Sequence, residues 1–195
     1  MGAPFKLVQP SAEYLSAYVA ALERGWSWDT VRGKVAADEE LELIRKDSAA
    51  FLASLAIRRP EGAMVTLPDG TQVPRLPGLR RWMWDGEFCG AIGFRWQDGT
   101  EALPPHVLGH IGYTVVPWKQ RMGCATRALG LILPLAKEEG LRYVELTTDP
   151  ANVASQRVIE ANGGVLHERF TKPEAFGSTP GLRYRIALER IADGS

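Results

Sequence analysis

The sequence predicts an α+β (mixed α/β) domain around one sheet. Three observations carry this expectation. Short apolar segments alternate with two stretches of helical periodicity between Ala12 and Pro60. Asp85-Gly86 separates two apolar segments, the strongest short-range hairpin signal. From His110 to Asn162 the pattern reads strand–helix–strand–helix, and two more strands follow. A chain of 195 residues suits a single domain over 1–195.

The elements follow in order. Residues 5–8, apolar but for Lys6, stop at Pro10 and read as a strand. Ser11 can cap a helix from Ala12 to about Arg24. Tyr14, Tyr18 and Ala21 give that helix one apolar face, and Gly25 can end it. Asp38 can cap a second helix, in which Leu41, Ile44, Phe51 and Leu55 recur at helical steps up to Pro60. Residues 64–67 and 71–74 flank the turn signal Pro68-Asp69-Gly70. Residues 79–84 and 87–96 flank Asp85-Gly86, where both turn positions are expected at positive φ. Residues 97–108 read as a loop, and 110–116 as a strand broken by Pro117.

A helix then runs from near Gly123 to about Glu139, with Gly140 as its cap. Pro134 predicts a kink or an earlier end, because proline removes one hydrogen bond and meets the carbonyl of Gly130. Residues 143–148 form a strand. Asp149 caps a helix whose first position is Pro150, and Gly163-Gly164 end it. Residues 165–170 and 182–188 are the last strands. In the latter, Leu182, Tyr184 and Ile186 alternate with Arg183 and Arg185, so one face is buried.

Lys plus Arg and Asp plus Glu each total 23, a formal net charge of zero. That gives no general pull towards nucleic acid or anionic membrane. No apolar run approaches the roughly 20 residues that span a bilayer. The first ten residues lack the charged start and apolar stretch of a signal peptide. Two cysteines, Cys89 and Cys124, are too few for a disulfide framework. The expectation is a cytoplasmic protein with neither nucleic acid nor membrane as partner.

The most informative segment runs from Val115 through Pro117, Gln120, Arg121, Met122, Gly123, Cys124 and Ala125 to Thr126. A strand ends, a short loop follows and a helix begins. The first N–H groups of a helix lack intrahelical partners, and the macrodipole makes that end positive, so it suits phosphate. Gly123 permits close approach, Ala125 keeps the surface open, Arg121 adds a cation and Thr126 a hydroxyl. Neither a Walker loop nor GxGxxG is present. Taken alone, the turn is also an ordinary strand-to-helix connection.

The segment resembles the acetyl-CoA motif of the GNAT acetyltransferase superfamily, Gln/Arg-x-x-Gly-x-Gly/Ala, here Gln120-x-x-Gly123-x-Ala125. A second match follows a strand later: Asn152-x-x-Ser155-x-x-Val158-Ile159-Glu160-x-x-Gly163-Gly164. The resemblance is specific over residues 110–170, and element order carries it elsewhere. It implies a central mixed, mostly antiparallel sheet of about seven strands with helices on both faces. The strands at 110–116 and 143–148 would splay into a V-shaped slot. Backbone groups of Tyr113 and Val115 would then meet the pantetheine amides of acetyl-CoA, the co-substrate. The pyrophosphate would sit on N–H groups from Arg121 to Thr126, and Asn152 and Ser155 would face the pantetheine arm. A backbone N–H near Val115 would polarise the thioester carbonyl.

The implied reaction is acetyl transfer to a primary amine of a small molecule or peptide. A non-catalytic acyl-CoA-binding module of the same fold is the alternative, and a domain for another phosphorylated ligand is a third reading. The last strands of such folds often pair with a second copy, which implies a homodimer. Where the family places a Glu base, this sequence has Gly109 or Thr147. The nearest titratable groups are His110 and Glu145. His110 is the catalytic candidate, since its ordinary pKa suits a base; the competing reading is a hydrogen-bonded histidine at a strand start. The family's Tyr acid falls on Ile159, which cannot donate a proton. Trp26 and Trp28 either cover an acceptor or anchor a loop on the core. His106 and His110, with Cys89 and Cys124, invite a zinc reading, but Pro104, Pro105, Gly109 and Gly112 argue against the helix that a His-x-x-x-His pair suits, so no metal is expected.

Overall fold

The computed structural model describes residues 3–67 and 69–188. Pro68, first residue of one expected turn, lies outside the described residues, as do Met1 and Gly2. The described strands are β1 (Lys6–Val8), β2 (Ala56–Ile57), β3 (Met64–Thr66), β4 (Gln72–Pro74), β5 (Gly78–Trp84), β6 (Phe88–Arg95), β7 (Ile111–Val115), β8 (Tyr143–Thr148), β9 (Val165–Thr171) and β10 (Pro180–Ala187). The helices are α1 (Ala12–Glu23), α2 (Lys34–Lys46), α3 (Ser48–Ser54), α4 (Cys124–Glu138) and α5 (Val153–Glu160). One sheet has the order β1-β5-β6-β7, with β2 also on β5; a second has β8-β10-β9; β3 and β4 form a hairpin. The mixed α/β class is the expected one, and β1 and β3–β10 fall on segments that the sequence reads as strands. Among the described residues, no helix is long and apolar enough to cross a membrane.

The chain divides into two compact units. The first holds the described residues up to Arg58, Gly78–Gly93 and Tyr113–Leu131. Its core gathers Val8, Leu22, Leu41, Phe51, Leu55 and Ala91 around an aromatic cluster. Tyr18 stacks on Trp82 at 4.6 Å and meets Trp26 and Phe88 edge-on. The α1 helix ends as its sequence predicts. Gly25 takes φ +86°, its N–H donates to Leu22 O, and Trp26 N–H donates to Ala21 O. This double bond pattern needs a left-handed residue, which glycine supplies without strain. Trp26 is thereby buried and Trp28 packs beside Gly93, both anchoring the loop after α1.

Two local expectations in this unit are corrected. The single helix expected from Asp38 is two: α2 starts at Lys34, and the chain breaks at Asp47, whose side chain accepts from Ala50 N–H at 2.9 Å. A local cap thus interrupts a hydrophobic period that continues across it. At the β5–β6 turn only Gly86 has positive φ, +108°. Asp85 instead closes a three-residue loop, accepting on Oδ1 from Glu87 N–H.

The second unit holds Arg59–Pro77, Phe94–Gly112 and the described residues from Ile132 onward. β10 pairs with β8 and β9 in antiparallel register, with Arg185 opposite Glu145 and Tyr184 opposite Leu146. Val144, Leu146, Leu182, Tyr184 and Ile186 form the buried face, as the alternation predicts. The α4 helix runs through Pro134 without ending early. It stops at Gly140, where φ is +84° and the double bond pattern of α1 recurs. The α5 helix begins later than expected, with Asn152 rather than Asp149 as its cap. Asp149 is paired with Lys172 instead.

Candidate functional site

In the first unit, Tyr113 and Val115 lie on β7, whose one strand partner among the described residues is β6. The two strands approach closely because position 90 is glycine. A Cβ on Gly90 would lie 2.2 Å from Thr114 O, and its φ is +143°. Val116 N–H donates to Cys89 O at 3.0 Å, fixing the end of the strand. A single 3₁₀ turn, Pro117–Lys119, leads into the segment that the sequence singled out.

Arg121 there has φ +61°, sparsely populated for a side chain with a Cβ, and Gly123 has φ +75°. Gly123 O accepts the first main-chain bond of α4, from Arg127 N–H at 3.1 Å, and Arg127 Nη2 donates to Met122 O at 3.0 Å. Gln120, Arg121, Met122 and Gly123 are exposed, Ala125 and Thr126 half-buried, and Cys124 buried. A Cβ on Gly123 would meet nothing within 4 Å, so the space above the helix start is open.

Lys119, which sequence reasoning did not single out, holds this turn in place. Its Nζ lies 3.1 Å from Asp85 Oδ1 and 2.9 Å from Glu87 Oε2. Those bonds, to Glu87 first, raise the lysine's pKa above its ordinary value. Burial opposes ionisation of Asp85, but the bonds from Lys119, Cys89 and the Glu87 main chain, with the lysine's charge, together outweigh it and hold the carboxyl below its usual range. With its charge committed to the β5–β6 loop, Lys119 leaves Arg121 as the exposed cation of the turn. Trp118 is 37% exposed and carries the Arg24 guanidinium 3.5 Å from its ring centroid. Burial and a bond to Asp85 push the Cys89 thiol up, so it stays protonated.

In the second unit, His110 is fully buried. Its main-chain N–H donates to Glu145 O at 2.7 Å, and its Nδ1 accepts from Glu145 N–H at 2.9 Å. Thr147 Oγ1 donates to Leu108 O. Gly109 passes so close that a Cβ there would lie 2.9 Å from Glu145 O and 3.3 Å from Leu146 Cα. Both positions at which the family pattern places a Glu are therefore occupied by this contact. The Glu145 carboxylate accepts from Arg185 Nη2 at 2.8 Å and lies 3.7 Å from Arg183 Nε. Burial lowers the His110 pKa to about 4, against the opposing pull of Glu145.

Asn152 and Ser155 also lie in the second unit. Asn152 Oδ1 accepts from Ser155 N–H at 3.0 Å, capping α5. Ile159 is 1% exposed, and a Cβ on Gly164 would lie 2.3 Å from its Cγ2. Thus Tyr113, Val115 and residues 120–126 form one continuous strand–turn–helix, while His110, Asn152 and Ser155 belong to the other unit. Among the described residues, no three His, Cys, Asp or Glu side chains gather as metal ligands.

Residues 75–165 match a family model described as an acetyltransferase (GNAT) domain. A search of curated proteins finds no match. Among solved structures, RimL, a ribosomal L7/L12 alpha-N-protein acetyltransferase in complex with coenzyme A, is 13% identical with a TM-score of 0.60, covering 96% of this chain and 98% of that one. The microcin C7 self-immunity acetyltransferase MccE, in complex with acetyl-CoA and AMP, is 12% identical with a TM-score of 0.59, covering 94% and 92%. A GNAT-family acetyltransferase from Bacillus anthracis is 17% identical with a TM-score of 0.59, covering 96% and 98%. At such identities the likeness is one of fold. Residues 75–165 thus resemble a GNAT acetyltransferase domain, and the chain has the fold of these structures.

Proposed function

We propose that this GNAT-like domain transfers an acetyl group from acetyl-CoA to a primary amine of a small molecule or peptide. The open helix start at Gly123 carries the reading. Main-chain N–H groups of residues 121–126 and the Arg121 side chain can hold a pyrophosphate there, and a Cβ on Gly123 would meet nothing within 4 Å. The edge of β7 away from β6 supplies main-chain groups of Tyr113 and Val115 to an amide-bearing arm. Asn152 and Ser155 are assigned to the same arm by the second motif. Acetyl-CoA supplies a thioester that an amine can attack directly.

Both titratable neighbours are already committed. His110 Nδ1 is engaged, and Glu145 is paired with arginines. Transfer then rests on positioning the reactants, and the amine enters as its free base after losing its proton to water. β9 pairs only with β10 among the described residues, and this and the exposure of Val165 and Leu166 support pairing of a second copy along that edge. Thiol release from acetyl-CoA, followed across a panel of small amines and amino-terminal peptides, tests the function. Amine-dependent release that rises with pH up to the pKa of the amine supports it; no release with any amine counts against it.

A further inference from the structure

We infer that His110 is a positioning residue whose ring, acting as a hydrogen-bond acceptor, ends the pairing between residues 108–110 and β8 and so fixes where β7 begins. The inference rests on the acetyl-CoA reading above, because β7 carries Tyr113 and Val115 towards the cofactor.

The second unit shows how. Both main-chain groups of Glu145 go to His110: the carbonyl to its N–H, and the N–H to its imidazole. A sheet rung would have sent that N–H to a main-chain carbonyl. Two residues earlier, the Leu108 carbonyl is likewise taken by a side chain, the Thr147 hydroxyl. Two side chains thus replace two rungs, and Gly109 lets the backbones come near enough for both. Because Nδ1 accepts, the proton of the neutral ring sits on Nε2. That atom is buried and has no hydrogen-bond partner among the described residues. A second proton would have to displace the Glu145 N–H. Glu145, Arg95 and Glu101 are the charged groups that act on the ring. A general base needs a free lone pair within reach of substrate, and this ring has none.

Three variants or readouts separate the roles. His110→Asn keeps an acceptor near the place of Nδ1, whereas His110→Leu has none. Acetyl-CoA affinity by calorimetry, with kcat measured alongside, should stay within about threefold for Asn. It should weaken by about tenfold or more for Leu, the range of one unsatisfied buried N–H. Unchanged affinity in a folded Leu variant overturns the inference. So does an Asn variant that keeps its affinity but loses kcat a hundredfold, the mark of a lost base. ¹⁵N NMR of the wild-type imidazole reads the tautomer directly. A proton on Nε2, with Nδ1 hydrogen-bonded, is expected, and a proton on Nδ1 overturns the inference even if neither variant folds. Wild-type protein that shows this tautomer but binds no acetyl-CoA sinks the cofactor reading instead.

Discussion

Acidification should destabilise the protein through His110, and the size of the effect follows from its burial. In the folded chain the ring titrates at about 4 because burial disfavours its charged form. Unfolded, it titrates at about 6.5. Between these values the unfolded chain binds the proton and the folded chain does not, so stability falls as pH falls through that window. At 1.36 kcal/mol per pKa unit, the gap is worth about 3 kcal/mol. That is a large share of the roughly 5–15 kcal/mol that holds a typical domain folded. Urea unfolding of wild type and His110→Asn from pH 7 to pH 4 isolates the contribution, since asparagine does not titrate. The stability of wild type relative to the variant should shrink by about 3 kcal/mol across the series. Parallel curves would refute the reasoning, because a solvated or already charged ring produces no such slope.

Other substitutions test the packing. Gly109→Ala puts a methyl 2.9 Å from Glu145 O and should cost about 1–3 kcal/mol by overpacking, read as a lower melting temperature. Gly90→Ala adds a contact of 2.2 Å at φ +143°, so its melting temperature should fall further than that of Gly109→Ala; the reverse order would contradict the close strand approach. Asp47→Ala removes the cap of α3 and should lower the urea midpoint by an amount equivalent to about 1 kcal/mol. Ile159→Tyr restores the family's residue type at a position that is 1% exposed. It should destabilise by about 1–3 kcal/mol and leave kcat no higher, and a gain in kcat would show that the hydroxyl reaches the reaction.

The sequence made the helix ends at Gly25 and Gly140 legible, because a left-handed terminus is a local demand that glycine meets. It also located the turn at residues 120–126, where a strand end, a glycine and a helix start follow one another directly. Periodicity misled between Asp38 and Leu55: Leu41, Phe51 and Leu55 all reach one core, so their spacing ran across the break that Asp47 imposes. The α5 cap was misplaced because Asp149 and Asn152 are both good caps, and only tertiary contacts give Asp149 to Lys172. Which groups His110, Gly109 and Lys119 meet was not legible. Their partners Glu145 and Asp85 lie more than thirty positions away in sequence, beyond any local pattern.

Calorimetric titration of acetyl-CoA, with ATP as control, tests the central claim that the Gln120–Thr126 turn is a cofactor site. Wild type should bind acetyl-CoA and not ATP. Gly123→Asn, which tolerates positive φ and projects its side chain into the open space above the turn, should bind acetyl-CoA at least about tenfold more weakly, a change of about 1.4 kcal/mol, with its unfolding midpoint little changed. Wild type that ignores acetyl-CoA, or a folded Gly123→Asn variant that binds it as tightly as wild type, would contradict the account.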